Sequence, residues 1–280
     1  MGADDVVRYR VAGLVATITL DSPGNRNALS VALVSQLTQA LAAAADDAEV
    51  RAVVLTHTGT TFCAGADLGA ALAAGSEPGP PDRPDSPDRP DSPAGRLAQF
   101  SGQLVLLLRA LVAHPKPVVA QLNGHARAGG LGLVAACDVA VAGPACTFAF
   151  TESRLGLAPA VISLVTTPRL TSRAASRYYL TGEMFDSHEA QRCGLVTLAA
   201  PDPQAATAEL LDALRLCSPQ GLAESKRLAN AAVLAALDAD GGRRAAESAR
   251  LLASAEAREG MAAIAGRRPP AWAARDQPPA

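Results

Sequence analysis

No charge of one sign dominates this chain. Its 25 Lys and Arg against 27 Asp and Glu leave a net charge of -2, and the isoelectric point lies near 6.1. There is no global basic field of the kind that draws nucleic acid or an anionic membrane, so an anionic ligand must be met by local groups. Long apolar runs are also missing. The best of them, LVLLLRALVA from Leu104, is interrupted by Arg109 and too short for a bilayer, so no membrane span is expected. Cys63, Cys137, Cys146, Cys193 and Cys217 form no CxxC pair and are odd in number, which fits buried free thiols in a reducing, cytoplasmic setting. The four histidines His57, His114, His125 and His188 lack metal-site spacing, and no metal is expected. The opening MGADDVVRYR has no apolar run, and Val6 stands where a myristoylation signal needs Ser or Thr, so no targeting signal is read there. GxGxxG, GxxxxGK[ST] and GxSxG are absent, which removes the common phosphate loops and the nucleophile elbow.

What is present is an apolar content of 49%, ample for a sizeable core. Alternating VRYRVAGLVATITL predicts a β-hairpin over 7–20 with an Ala-Gly turn. Ser30 is a candidate N-cap for a helix in which Leu33, Leu37 and Leu41 recur at helical spacing, and VRAVVLTHTG is a buried-type strand. Residues 77–93, EPGPPDRPDSPDRPDSP, contain PDRPDS twice; such proline density excludes helix and ladder and predicts a disordered surface insertion. Beyond it come a helix ended by Pro115, the strand KPVVAQLNG, a helical LGLVAACD and two short strands in VAVAGPACTFAF. Helices are expected over 205–216, 220–237 and 242–265, with an unpacked or partner-packed tail. The chain divides into an α/β core over 1–200 and a helical region over 201–280.

Two glycine-containing loops, TFCAGADL over 61–68 and GHARAGGLG over 124–132, each follow a buried strand, where backbone approaches a ligand closely. Gly129 and Gly130 open a helix, so their free N–H groups suit an anion; close helix packing explains such glycines equally well. FCAGADL, NGxAxAGGxGLxxACD and FxxxESRLGLAPA, in that order after PGNRNALS, resemble the crotonase, or enoyl-CoA hydratase/isomerase, family across nearly the whole chain. The words ARAGGLGLVAACD and TESRLGLAPAVIS are most similar to its methylglutaconyl-CoA and carboxygeranoyl-CoA hydratase branch.

The resemblance implies a spiral of ββα repeats, a helical C-terminal region that makes trimers or hexamers, an acyl-CoA thioester substrate and no further cofactor. It implies the N–H groups of Ala66 and Gly129 as oxyanion donors and Glu152 as acid and base. Ala64, Asp67, Leu68, Gly69 and Gly130 would line the substrate path, with Arg26 near the CoA phosphates. Gly132 stands where many relatives carry a second glutamate, so proton transfer falls to Glu152 alone. In the suggested branch the substrate bears a distal carboxylate, for which Arg127 and Arg154 are the candidate cations. The activity expected is hydration of an enoyl-CoA, with isomerisation by the same glutamate and non-catalytic binding as the alternatives.

Overall fold

The computed structural model describes residues 5–67 and 92–276. Val7–Ala12 (β1) and Val15–Leu20 (β2) form the expected hairpin, but its turn is Gly13-Leu14, both at positive φ, so the turn sits one residue later than the Ala-Gly reading. Ser30 caps Val31–Asp46 (α1), its hydroxyl accepting from the Leu33 N–H at 3.2 Å, and Leu33, Leu37 and Leu41 face the core.

From there the chain alternates between two sheets. Ala52–His57 (β3), Val118–Leu122 (β5), Val139–Ala142 (β7) and Leu198–Ala199 (β10) extend the hairpin into a six-stranded sheet of order β1-β2-β3-β5-β7-β10. Thr61–Cys63 (β4), His125–Arg127 (β6), Thr147–Ala149 (β8) and Phe185–Asp186 (β9) form a smaller sheet of order β4-β6-β8-β9. In it β4, β6 and β8 run parallel. Each pass contributes one strand to each sheet, and a helix returns the chain: Pro93–Ala113 (α2) after β4 and Gly129–Ala136 (α3) after β6. This is the expected spiral of ββα repeats. The three-residue strands β4 and β6 lie in stretches read as loops, because a ladder that short leaves no periodicity to read.

Most of the 77–93 insertion lies outside the described residues, and its last two residues are recruited into α2. The Ser92 hydroxyl accepts from the Gly95 N–H at 2.9 Å and Pro93 takes the first helical position, where its missing N–H is no loss. The part of α2 over Gly95–Ala113 has a mean hydropathy of 1.2 and is long enough to cross a bilayer. Leu107, Leu108, Leu111 and Val112 instead bury one face in the core, the pattern of a central helix.

The C-terminal helices break where tertiary contacts place them. They run over Pro203–Arg215 (α7), Pro219–Ala229 (α8), Ala231–Leu252 (α9) and Ala255–Ala265 (α10), after short helices Ser163–Thr166 (α4), Ser172–Thr181 (α5) and Ser187–Cys193 (α6). The sequence reading divided helices at 237–242, yet α9 runs through Gly241. There α2 approaches so closely that a Cβ would stand 2.7 Å from Val105 Cγ1. The actual breaks fall at Asn230, whose side chain is committed elsewhere, and at Ser254, which caps α10. Val233, Leu237 and Ala245 of α9 share one hydrophobic core with α1 and α2. After α10, Arg268 pairs with Glu259 at 2.7 Å and a 3-10 turn spans Ala271–Asp276, giving the tail one anchor.

Candidate active site

Ala66, Gly129 and Glu152 lie a few residues beyond the carboxyl ends of β4, β6 and β8, three neighbouring parallel strands of the small sheet. Parallel pairing brings strand ends of one sense to one edge, so residues separated by 86 positions in sequence open onto one cleft.

The first loop is strapped to 26–29. Ala64 N–H donates to Arg26 O at 3.1 Å, Leu29 N–H to Gly65 O at 2.7 Å, and Asp67 N–H to Leu29 O at 3.1 Å. Gly65 has φ +89, and a Cβ there would stand 2.9 Å from the Ala128 methyl; only glycine meets both conditions. Behind the strap Asn27 is fully buried, its amide donating to Thr58 O at 3.0 Å and Thr61 O at 2.8 Å while its Oδ1 accepts from the Ser22 N–H at 2.7 Å. Sequence reading missed this residue. Its φ of +52, which Asn tolerates better than most residues, is visible only in the structure.

Ala128 turns the chain into α3 at φ +45, an uncommon value for a residue with a side chain, and its N–H is held by Ala149 O of β8 at 3.1 Å. Gly129 is thereby the first residue of a wholly buried helix. A Cβ on Gly129 would lie 3.7 Å from Gly65 Cα and 3.8 Å from Ala66 N, so the two loops face each other closely. Neither the Ala66 N–H nor the Gly129 N–H is taken up by a backbone hydrogen bond among the described residues. Two unspent donors at the positive end of a helix are suited to an oxyanion.

Glu152 opens a 3-10 turn over Glu152–Leu155 and is 8% exposed. Its Oε2 is buried without a hydrogen-bond partner among the described residues. Burial pushes its pKa up to about 7, against a smaller opposing pull from its own backbone N–H. The turn is held from outside by α10: a Cβ at Gly156 (φ +70) would stand 2.7 Å from the Glu256 backbone, and Leu155 packs with Ala257 and Met261.

The cleft of about 110 Å³ also has walls from Phe100, Ser101 and Leu104 of α2, Ile162, and Ser248, Leu251 and Leu252 of α9. Glu152 is the single charged residue among its described lining residues. The position of a second glutamate is filled: a Cβ at Gly132 would stand 2.6 Å from Ile162 Cγ2 and 3.5 Å from Leu108 Cδ2. Ile162 carried no sequence signal, because only the fold returns residue 162 against residue 132.

Several expected contacts are elsewhere. Gly130 does not line the cleft; it lets α3 approach β4, since a Cβ would stand 2.6 Å from Cys63 O. The Arg127 guanidinium is spent on Thr147, donating to its carbonyl at 2.6 Å and its hydroxyl at 2.7 Å, and on Ala126 O at 2.9 Å. Arg154 is exposed and donates to Thr181 O at 2.8 Å. Neither arginine is among the described residues that line the cleft. Ala64 lines the cleft, Asp67 stands beside it, and Arg26 is exposed at the start of the strap. Leu68 and Gly69 lie outside the described residues.

A family model of enoyl-CoA hydratase/isomerase matches residues 15–268. The chain belongs to that family. An enoyl-CoA hydratase structure from Mycobacterium avium is 49% identical, with TM-score 0.85, covering 97% of this chain and 100% of its own. An enoyl-CoA hydratase/isomerase structure from Pseudoalteromonas atlantica is 27% identical, with TM-score 0.78, over 95% and 99% of the two chains. A Thermus thermophilus protein named as an enoyl-CoA hydratase is 34% identical over 261 residues, 92% of this chain and 97% of its own.

Proposed function

We propose that this enzyme of the enoyl-CoA hydratase/isomerase family hydrates the α,β double bond of an enoyl-CoA thioester. The observation that carries the reading is the convergence of two unspent N–H groups and one buried carboxyl on a single cleft. Addition at the β-carbon of a conjugated thioester builds negative charge on the thioester oxygen. Fixed N–H donors at Ala66 and Gly129 stabilise that charge without reorganising, and each is worth on the order of 100- to 1,000-fold in rate.

Glu152 supplies the proton chemistry. As carboxylate it takes a proton from water while the water oxygen bonds to the β-carbon and the π electrons move to the thioester oxygen. As carboxylic acid it returns a proton to the α-carbon on the same face. The pKa near 7 suits a group that must do both. No cofactor beyond the CoA of the substrate is needed for these steps, and Arg26, exposed at the start of the strap, is the proposed partner of the CoA phosphates. With no cation among the described lining residues, the reading favours an uncharged acyl chain over the carboxylated one suggested by the sequence words. A homotrimer or hexamer in the cytoplasm completes the proposal, the four buried free thiols being suited to a reducing compartment.

The test is loss of enoyl-thioester absorbance with crotonyl-CoA and 3-methylglutaconyl-CoA, for the natural chain and Glu152→Gln. Hydration of crotonyl-CoA is expected, with a fall in kcat on the order of 100- to 10,000-fold in the variant. Double-bond migration without water uptake would select the isomerase, and absence of thioester binding would select a non-catalytic role.

A further inference from the structure

The short helix that presents the Gly129 N–H has a second end, and an unusual amount of buried polar chemistry converges there. Arg169 donates through Nε to Ala135 O, one of the last carbonyls of α3, at 3.2 Å, and through Nη2 to Asn230 Oδ1 at 3.0 Å. Asn230 in turn donates to Asp138 Oδ1 at 2.8 Å, and Asp138 Oδ2 lies 2.7 Å from Lys226 Nζ and accepts from the Val118 N–H at 2.7 Å. Lys226 and Asn230 are 7% and 3% exposed. Asp138 lies between α3 and β7, Arg169 follows α4, and Lys226 and Asn230 belong to the α8–α9 junction.

Two cations and one carboxylate leave a net charge of +1 beside the C-terminal end of α3. A cation at that end complements the helix dipole, and a direct bond to a terminal carbonyl fixes the helix along its axis. All eight residues of α3 are buried and span only about two turns, so an anchor at Ala135 acts close to Gly129. The other end is set by the strained Ala128, whose N–H bonds to Ala149 O, and by the close approach of Gly130 to Cys63.

We propose that Arg169 is a positioning residue for the oxyanion site: together with Asn230, Asp138 and Lys226 it anchors and polarises α3 from its far end, so that the helical C-terminal region sets where the Gly129 N–H points. The proposal rests on the hydratase reading above. It makes the α8–α9 junction part of the catalytic apparatus without any of its polar residues touching substrate.

The experiment compares Arg169→Met, Arg169→Lys and Asn230→Ala in the full-length chain. Steady-state kinetics with crotonyl-CoA are read beside the infrared carbonyl stretch of bound butanoyl-CoA isotope-labelled at the thioester, an unreactive analogue that reports polarisation directly. Arg169→Met is expected to lower kcat about tenfold, the size of a partly buried helix-end charge, with KM changed about twofold or less. The bound carbonyl stretch moves back toward its value in water. Arg169→Lys restores most of both quantities, and Asn230→Ala shows a smaller loss in the same direction. A lowered melting temperature with kcat and carbonyl stretch unchanged would mean that the network is structural only and overturns the proposal. If Arg169→Met does not fold, Asn230→Ala decides by the same two readouts. A natural chain that neither hydrates crotonyl-CoA nor shifts the carbonyl on binding overturns the hydratase reading itself.

Discussion

Glu152 is held in a condition that folding alone would avoid. A carboxyl that is 8% exposed with one oxygen unpartnered is a net cost to the fold above neutral pH, and such costs concentrate where function requires them. Its folded pKa of about 7 lies above the ordinary glutamate value of 4.5. Between those two values the folded state therefore binds more protons than the unfolded chain, and stability falls as pH rises through that window. Two outcomes follow for measurement. The kcat/KM for hydration drops below an apparent pKa near 7 as the base is protonated, read from a pH profile. Glu152→Gln, which cannot ionise, is more stable than the natural chain at pH 8 by up to about 3 kcal/mol, and the difference vanishes near pH 4, read from denaturant midpoints. Glu152 itself was legible in the sequence, from the ESRLGLAPA words. The role of Gly132 was legible only as an absence, because the volume that Ile162 fills depends on a contact across 30 residues of chain.

At the scale of elements, the oxyanion site depends on backbone direction in two loops of small residues. Gly65 at φ +89 is an exacting position, since a methyl group there meets the Ala128 methyl, Arg127 O and Gly129 N together. Gly65→Ala is expected to reduce kcat on the order of 100-fold, with KM changed much less, because what is lost is the direction of a donor used most strongly in the transition state. Steady-state kinetics beside an unchanged circular dichroism spectrum check this. Helix caps were readable in advance where the capping group is local: Ser30 caps α1 because its own side chain reaches the third helical N–H. Breaks in the C-terminal helices were not, since Gly241 stays helical by packing against Val105 and Asn230 ends a helix while serving a distant carboxylate. Local rules give a glycine pair as a breaker and cannot see the partner that makes it useful.

Across the whole molecule, the C-terminal helices are bound to the spiral by α7 on β5 and β7, α9 along α2, α10 against the Glu152 turn, and the α8–α9 junction at the end of α3. The last of these contacts centres on the Lys226–Asp138 pair. Lys226→Met leaves the Asp138 carboxylate largely buried without its cation, and a loss of about 3–5 kcal/mol is expected from chemical denaturation. A loss below about 1 kcal/mol would mean that the surrounding N–H donors of Val118 and Asn230 already satisfy the carboxylate. By itself the sequence determined what depends on neighbours along the chain: the longer strands and helices of the core, the Ser30 cap, and the motif words that mark Ala66, Gly129 and Glu152. Only the tertiary structure decided which groups share the cleft. Arg127 and Arg154 stand beside site residues in sequence, yet they bond to Thr147 and Thr181, whereas Leu104 and Ser248 arrive from remote helices. The physical reason is that spacing along one chain encodes periodicity and capping, while side-chain neighbourhood is set by how parallel strands and returning helices close around a common core.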